Sequence, residues 1–185
     1  MGRKGGIGGI GRMDGFRTAV AAIMIAGSSA ALAGKGSTSR ISISGDALAV
    51  PIEIRDAAIV NEFQIWAGPG TRNCVAGHCV EGAEGFIVDW SAGAVAARSS
   101  GLRRYQVSFF VQDEQSLAQP KLERLAYVVL YEYDPVRSQG FVYLPGKGDQ
   151  WQELNWGSIY RRVEGHWFRA TRAWQDVVVP LISSR

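Results

Sequence analysis

The sequence predicts one α+β domain over residues 41–185, a mainly antiparallel sheet with two or three short helices. Three observations carry that expectation. Residues 103–111 and 125–134 alternate in polarity, the period of a half-buried strand. Short apolar runs elsewhere are bounded by Gly, Pro, Asp and Ser turn signals. Apolar residues at helical spacing occur only in short stretches, behind Asp56 and Thr171. Segregated strands and helices of this kind fit α+β better than a parallel α/β sheet. The length of 185 residues, with 46% hydrophobic and 20% charged residues, suits one globular domain and excludes a disordered chain, a collagen or a coiled coil. Neither an internal repeat nor a second block of distinct composition is present.

The N-terminal part is read as a separate segment. Thr18 to Ala33, TAVAAIMIAGSSAALA, is uncharged, follows Arg17 and ends in Ala31-Leu32-Ala33. Its strongly apolar part, 19–26, is far shorter than the about 20 residues a spanning helix needs. Residues 1–33 are therefore expected to be a signal peptide, cleaved after Ala33, with 34–40 a flexible tail. Met13 would make a more ordinary start than Met1, which adds an unusually long Gly-rich head. The formal charge of +3 resides in this leader, in Arg3, Lys4, Arg12 and Arg17 against Asp14. The remainder balances 16 basic against 16 acidic residues, so charge points to no nucleic acid or acidic membrane. No later segment is long and apolar enough to span a bilayer, and the expected destination is a periplasm or the cell exterior.

Along the domain, Ile41–Ser44 and Val50–Ile54 read as strands, with Pro51 at an edge or strand start. Asp56 is placed to cap a helix over Ala57–Trp66, with Ile59, Phe63 and Trp66 on one side. The Gly-rich stretch 67–85 holds the two cysteines, Cys74 and Cys79. In an oxidising compartment an even, close pair reads as a disulfide, worth about 2 kcal/mol by loop closure. The rivals are a metal site of Cys74, His78 and Cys79, one ligand short of structural zinc, and a redox pair, which lacks the usual C-x-x-C spacing. Phe86–Trp90 reads as a short strand before a turn at Ser91–Gly93.

The two long strands come next. Tyr105, Val107, Phe109 and Val111 share one face of the first, with Phe110 an exception on the other. Tyr127, Val129, Tyr131 and Tyr133 share a face of the second, with Val128, Leu130 and Glu132 opposite. Asp134–Gly140 signals a hairpin returning through Phe141–Leu144. A turn at 145–149, a short helix within 151–160, a hairpin of 160–163 with 166–170, and a helix from Arg172 stopped by Pro180 complete the chain.

Chemical motifs are sparse. The G-x-G-x-x-G at Gly6–Gly11 lies in the leader, with no strand before it or helix after it. Gly146-Lys147-Gly148 lacks the rest of a phosphate loop and reads as a tight turn. His166 has no nucleophile placed beside it by local spacing. Glu132 and Asp134 lie on one strand face, where paired carboxylates can divide acid and base work. A structural role fits them better, Glu132 with Arg103 or Arg104 and Asp134 in a turn. All six tryptophans fall after the leader. Most strand aromatics suit a core, while Trp66, Trp151 and Trp156, with Lys147 and His78, are the candidate ligand contacts.

The segments ISGDALAVPIEIRDAAIVNEFQIWAGPG (43–70), VYLPGKGDQWQELN (142–155) and HWFRATRAW (166–174) together resemble a group of exported bacterial proteins with no established activity. The resemblance implies one secreted domain and transfers no catalytic residue. Residues and resemblance together point to a non-enzymatic domain that binds a ligand or partner at the cell envelope, with no cofactor or metal implied. The alternatives are an envelope hydrolase using carboxylates such as Glu132, Asp134 or Asp149, and a purely structural exported protein. Two carboxylates converging in a cleft would mark the hydrolase, and an exposed aromatic patch would mark the binder.

Overall fold

The structure, a computed structural model, describes residues 36–75, 78–81, 85–112 and 122–184. Residues 1–33, expected from the sequence to be a signal peptide, lie outside the described residues. Six strands form one antiparallel sheet: β1 (Ser37–Ser44), β2 (Ile52–Ile54), β5 (Arg104–Gln112), β6 (Glu123–Asp134), β7 (Gln139–Tyr143) and β8 (Trp167–Arg169). Their order is β2-β1-β5-β6-β7-β8. A separate hairpin joins β3 (Arg72–Val75) to β4 (His78–Glu81). Three helices accompany the strands: α1 (Ala57–Glu62), α2 (Gln152–Ser158) and α3 (Arg172–Ser183). The α+β class is as expected from the alternating strands. None of the described helices is long and apolar enough to cross a membrane.

Register explains which residues form the core. Ile41 pairs with Phe109, Phe109 with Tyr127, Val107 with Val129, and Tyr131 with both Tyr105 and Val142. Side chains at paired positions share a face, so these residues make one continuous apolar surface. It is closed over by Val60 of α1, by Phe86–Val88 and by α3, all within the same buried cluster. Trp174, Val178 and Ile182 lie at i, i+4 and i+8 of α3, and all are buried. Trp174 packs edge-on to Phe63, with ring centroids 5.1 Å apart. The backbone carbonyls and amides on the same side are also tied down: the Gly140 N–H donates to Gln175 Oε1 at 2.7 Å.

Phe110 lies between buried Phe109 and Val111, so it takes the outer face by ordinary strand alternation; the pairing with β6 shifts beside it. One extra residue, Ala126, stands in β6 at that point, since Phe109 faces Tyr127 while Phe110 faces Leu125. On that outer face the Arg40 guanidinium lies 3.4 Å from the Phe110 ring centroid. Tyr143 is also on that outer face, because it pairs with Leu130.

Several expectations need correction. Ser37–Arg40 belong to β1 rather than to a flexible tail, with Ser37 opposite Gln112. The helix after Asp56 stops at Glu62, although the cap itself is as read, with the Ala58 N–H donating to the Asp56 carboxylate at 2.9 Å. Phe86–Trp90 is not a strand. Only Val88 makes an isolated bridge, to Ala170, and a single 3-10 turn covers Trp90–Ala92. The last hairpin is also different: β8 pairs with β7, not with 160–163. Finally, α3 runs through Pro180 to Ser183. Pro180 faces solvent, so water can hydrate the carbonyl that loses its helical partner, and Ile182 beyond it still reaches the core.

Candidate functional site

Helix α2 is held by one side chain to the stretch of the β6 edge that β7 leaves uncovered, since β7 pairs only with Leu130–Asp134. Buried Asn155 accepts from the Val128 N–H and donates to the Val128 carbonyl, both at 2.8 Å. This clamp fixes the rotation of the helix. Successive helical residues are set about 100° apart, so Trp156 is turned out of the contact and is 38% exposed. Beyond the helix the chain alternates. Ile159 and Arg161 are buried, and Tyr160 between them is 53% exposed. Trp156 and Tyr160 thus emerge side by side in an edge-to-face pair, with centroids 5.1 Å apart. Arg162, also exposed, follows in the left-handed region at φ 67°.

Arg161 is the inner anchor of this segment and was not apparent in the sequence. Its side chain is buried, and it donates to the carbonyls of Ile65, Ala67 and Pro69 at 2.5, 2.6 and 3.2 Å. It also donates to the Tyr127 hydroxyl at 3.2 Å. The guanidinium carbon is 4.8–5.2 Å from the ring centroids of Phe86, Tyr127 and Trp90. Burial lowers the Arg161 pKa and raises that of the Tyr127 phenol, in each case by penalising the charged form. Carbonyl dipoles and ring faces line this cation, and the Glu164 carboxylate, which accepts from the Arg161 backbone N–H, adds an electrostatic attraction without a side-chain ion pair. No sequence pattern separates Arg161 from its exposed neighbour Arg162.

The other candidate contacts are dispersed. Trp66 is a core residue, only 6% exposed, and its indole N–H donates to the Gly36 carbonyl at 2.7 Å. Its expected role as a surface contact is therefore corrected. Trp151 is half-buried, with its indole N–H 3.2 Å from Gln106 Oε1. Lys147 is exposed on a tight turn, as the glycine spacing suggested. That turn is closed by Asp149, whose Oδ2 accepts from the Gly146 N–H at 2.7 Å and from the Tyr143 hydroxyl at 2.8 Å. Cys74 lies opposite Cys79, and Val75 opposite His78, in the β3–β4 register. The three tryptophans named as candidate contacts thus lie in three separate environments.

The carboxylates have structural partners. Arg104 holds Glu132 Oε1 from Nε and Nη2, at 3.0 and 2.9 Å. Arg98 approaches Oε2 at 2.9 Å, as an ion pair outside good hydrogen-bond alignment. Arg98 itself lies 4.0 Å from the Trp167 ring centroid. Asp134 accepts from the Ser99 hydroxyl at 2.6 Å and from the backbone N–H groups of Val136 and Arg137 at 3.0 and 3.1 Å. The Ser99 bond, followed by those two amides, holds its carboxyl below the usual range despite desolvation. His166 is exposed, with Nδ1 3.0 Å from the Glu164 carbonyl. No protein-family model, curated protein or solved structure matches the chain.

Proposed function

We propose that the chain is an exported, non-catalytic binding domain that meets an envelope saccharide through Trp156 and Tyr160. The observation that carries this reading is the exposed aromatic pair itself. Flat rings with polar edges suit stacking on the apolar face of a sugar. Large aromatics left exposed side by side are commoner at contact surfaces than elsewhere on a soluble protein. The clamp by Asn155 on one side and the anchor Arg161 on the other present both rings on fixed backbone, which lowers the entropy lost on binding. Export is supported by the apolar segment 18–33 and its Ala-Leu-Ala end. Cys74 and Cys79 are bridged on this reading, from their close spacing and the oxidising compartment that export implies.

The test is a binding screen against purified envelope glycans, with Trp156→Ala, Tyr160→Ala and the double variant. Each single variant should weaken binding about tenfold or more, with unchanged thermal unfolding. Trp151→Ala should weaken it far less. A folded double variant that retains full binding sinks the proposal, and glycan cleavage that depends on Glu132 or Asp149 would establish the hydrolase instead. Alkylation and intact mass report separately on the bridge: two free thiols in the exported protein would overturn that part.

A further inference from the structure

A cleft lies at the end of the sheet where β1 leaves and β5 enters. Two cavities meet there, sharing Gly101, Leu102 and Arg103. The smaller, about 390 Å³, is walled by Leu102, Tyr105, Tyr133, Pro135 and Ile182, with Ser183 at its edge. The wider, about 710 Å³, continues past Arg103 and Arg104 to Asp46 and Ala47. Ile182 is available as a wall only because α3 continues through Pro180. Tyr105 and Tyr133 occupy core-face positions at the sheet's end, so their rings are presented where the covering helix runs out.

The charges around the cleft are unequally committed. Arg104 is held by Glu132, and Arg98 pairs with the same carboxylate. Arg103 is exposed and makes no hydrogen bond or ion pair with any described residue. It stands where the apolar cavity opens into the polar one. A guanidinium there offers paired donors to a carboxylate. Asp46, across the wider cavity, opposes a second negative charge. A volume of this size lies in the range of small-molecule pockets, about 300–1,000 Å³.

We propose that this cleft binds a small monocarboxylate with a compact apolar body, its carboxylate on Arg103 and its body against Tyr105, Tyr133 and Ile182. The inference is independent of the aromatic pair at Trp156. The experiment is an amide-shift NMR titration of the full chain with phenylbutyrate, run in parallel with phenylbutanol. The acid should move the Gly101, Leu102, Arg103, Ile182 and Ser183 amides saturably, and the alcohol should bind about tenfold more weakly, the worth of one charge-assisted hydrogen bond. Arg103→Gln, a surface change, should lower affinity for the acid by a similar factor and leave the alcohol unchanged. Trp156→Ala should change neither. Equal affinity for acid and alcohol, full retention in Arg103→Gln, shifts confined to other residues, loss in Trp156→Ala, or no saturable shift would each overturn the proposal.

Discussion

Replacing Arg161 by Met tests whether a buried cation can serve as a backbone bridge. Met keeps a long apolar stem and removes the donors. Four hydrogen bonds disappear, to the carbonyls of Ile65, Ala67 and Pro69 and to the Tyr127 hydroxyl. Each buried acceptor left without a donor costs about 1–3 kcal/mol. Against this stands the cost of burying a guanidinium, several kcal/mol, which the variant no longer bears. Four acceptors at that cost, less the several kcal/mol of desolvation no longer incurred, leave an expected net loss of about 3–5 kcal/mol. At roughly 2–4 °C per kcal/mol for a chain of this size, the midpoint should fall by about 6–20 °C. Differential scanning calorimetry measures the fall. Hydrogen exchange should also quicken in the loop held by Arg161, where the Gln64 N–H donates to the Gly85 carbonyl and the Thr71 N–H to the Gly68 carbonyl. Arg161→Lys keeps the charge but not the planar fork, so its loss should be intermediate. A fall of under about 2 °C in the Met variant, with exchange unchanged, would refute the bridging role.

Two further outcomes follow from local geometry. Pro180→Ala should stabilise the chain by about 1–2 kcal/mol, because a proline inside a helix costs about 3 kcal/mol and its stiffening of the unfolded chain offsets part of that. A urea midpoint that fails to rise would show that the last turn of α3 does not depend on its ladder. In acid, the folded state holds Asp89, Asp134, Glu53 and Glu123 below the ordinary carboxylate values. Ser91 and Ser99 are the main partners of the two aspartates, while hydrogen bonds and charges from Arg40 and its neighbours outweigh desolvation at the glutamates. Depressed values contribute stability that is full above the unfolded pKa, about 4, and lost as pH falls through the folded ones. The melting temperature should therefore be flat above about pH 5 and drop below about pH 4, with a shallower drop in Asp134→Asn. An equally steep drop in that variant would remove Asp134 from the account.

The long strands were readable because one face of each is buried and period-two alternation records that directly. Tyr105, Val107, Phe109, Tyr127, Val129 and Tyr131 all reach the core from positions the alternation marks. Alternation also misled at 160–163. Tyr160 is exposed, Arg161 buried and Arg162 exposed, which is strand-like, but the segment is tied by the Arg161 side chain and has no strand ladder. Phe86–Trp90 failed for a related reason. Phe86, Ile87 and Val88 are three buried residues in a row, held by packing and by single bonds such as Asp89 N–H to the Arg169 carbonyl at 2.9 Å. A short apolar run does not reveal whether its backbone pairs with a strand or with whatever lies nearby. Pro180 misled because a helix breaker on a solvent face costs energy without ending a helix whose next turn still buries Ile182.

Composition placed six tryptophans in the domain but could not say which faces water. Trp66 and Trp156 are alike as residues, one just after the short helix α1 and the other inside the short helix α2. Their fates are decided by neighbours distant in sequence. Trp66 follows α1 into the core and finds the Gly36 carbonyl. Trp156 is turned outward because Asn155 takes the Val128 N–H and carbonyl at the edge of β6. Tyr160 is turned outward because Arg161 takes three carbonyls of 65–69. Each exposed ring therefore sits next to a buried polar residue that spends its hydrogen bonds on backbone far away in the chain. Disabling either anchor should release the adjoining aromatic from its fixed pose, so on the proposed saccharide-binding reading Arg161→Met would weaken binding even though Arg161 itself is buried away from solvent. Measured below the lowered melting point, loss of binding by that folded variant would tie the contact surface to the anchor. Full binding would show that Trp156 and Tyr160 act without it.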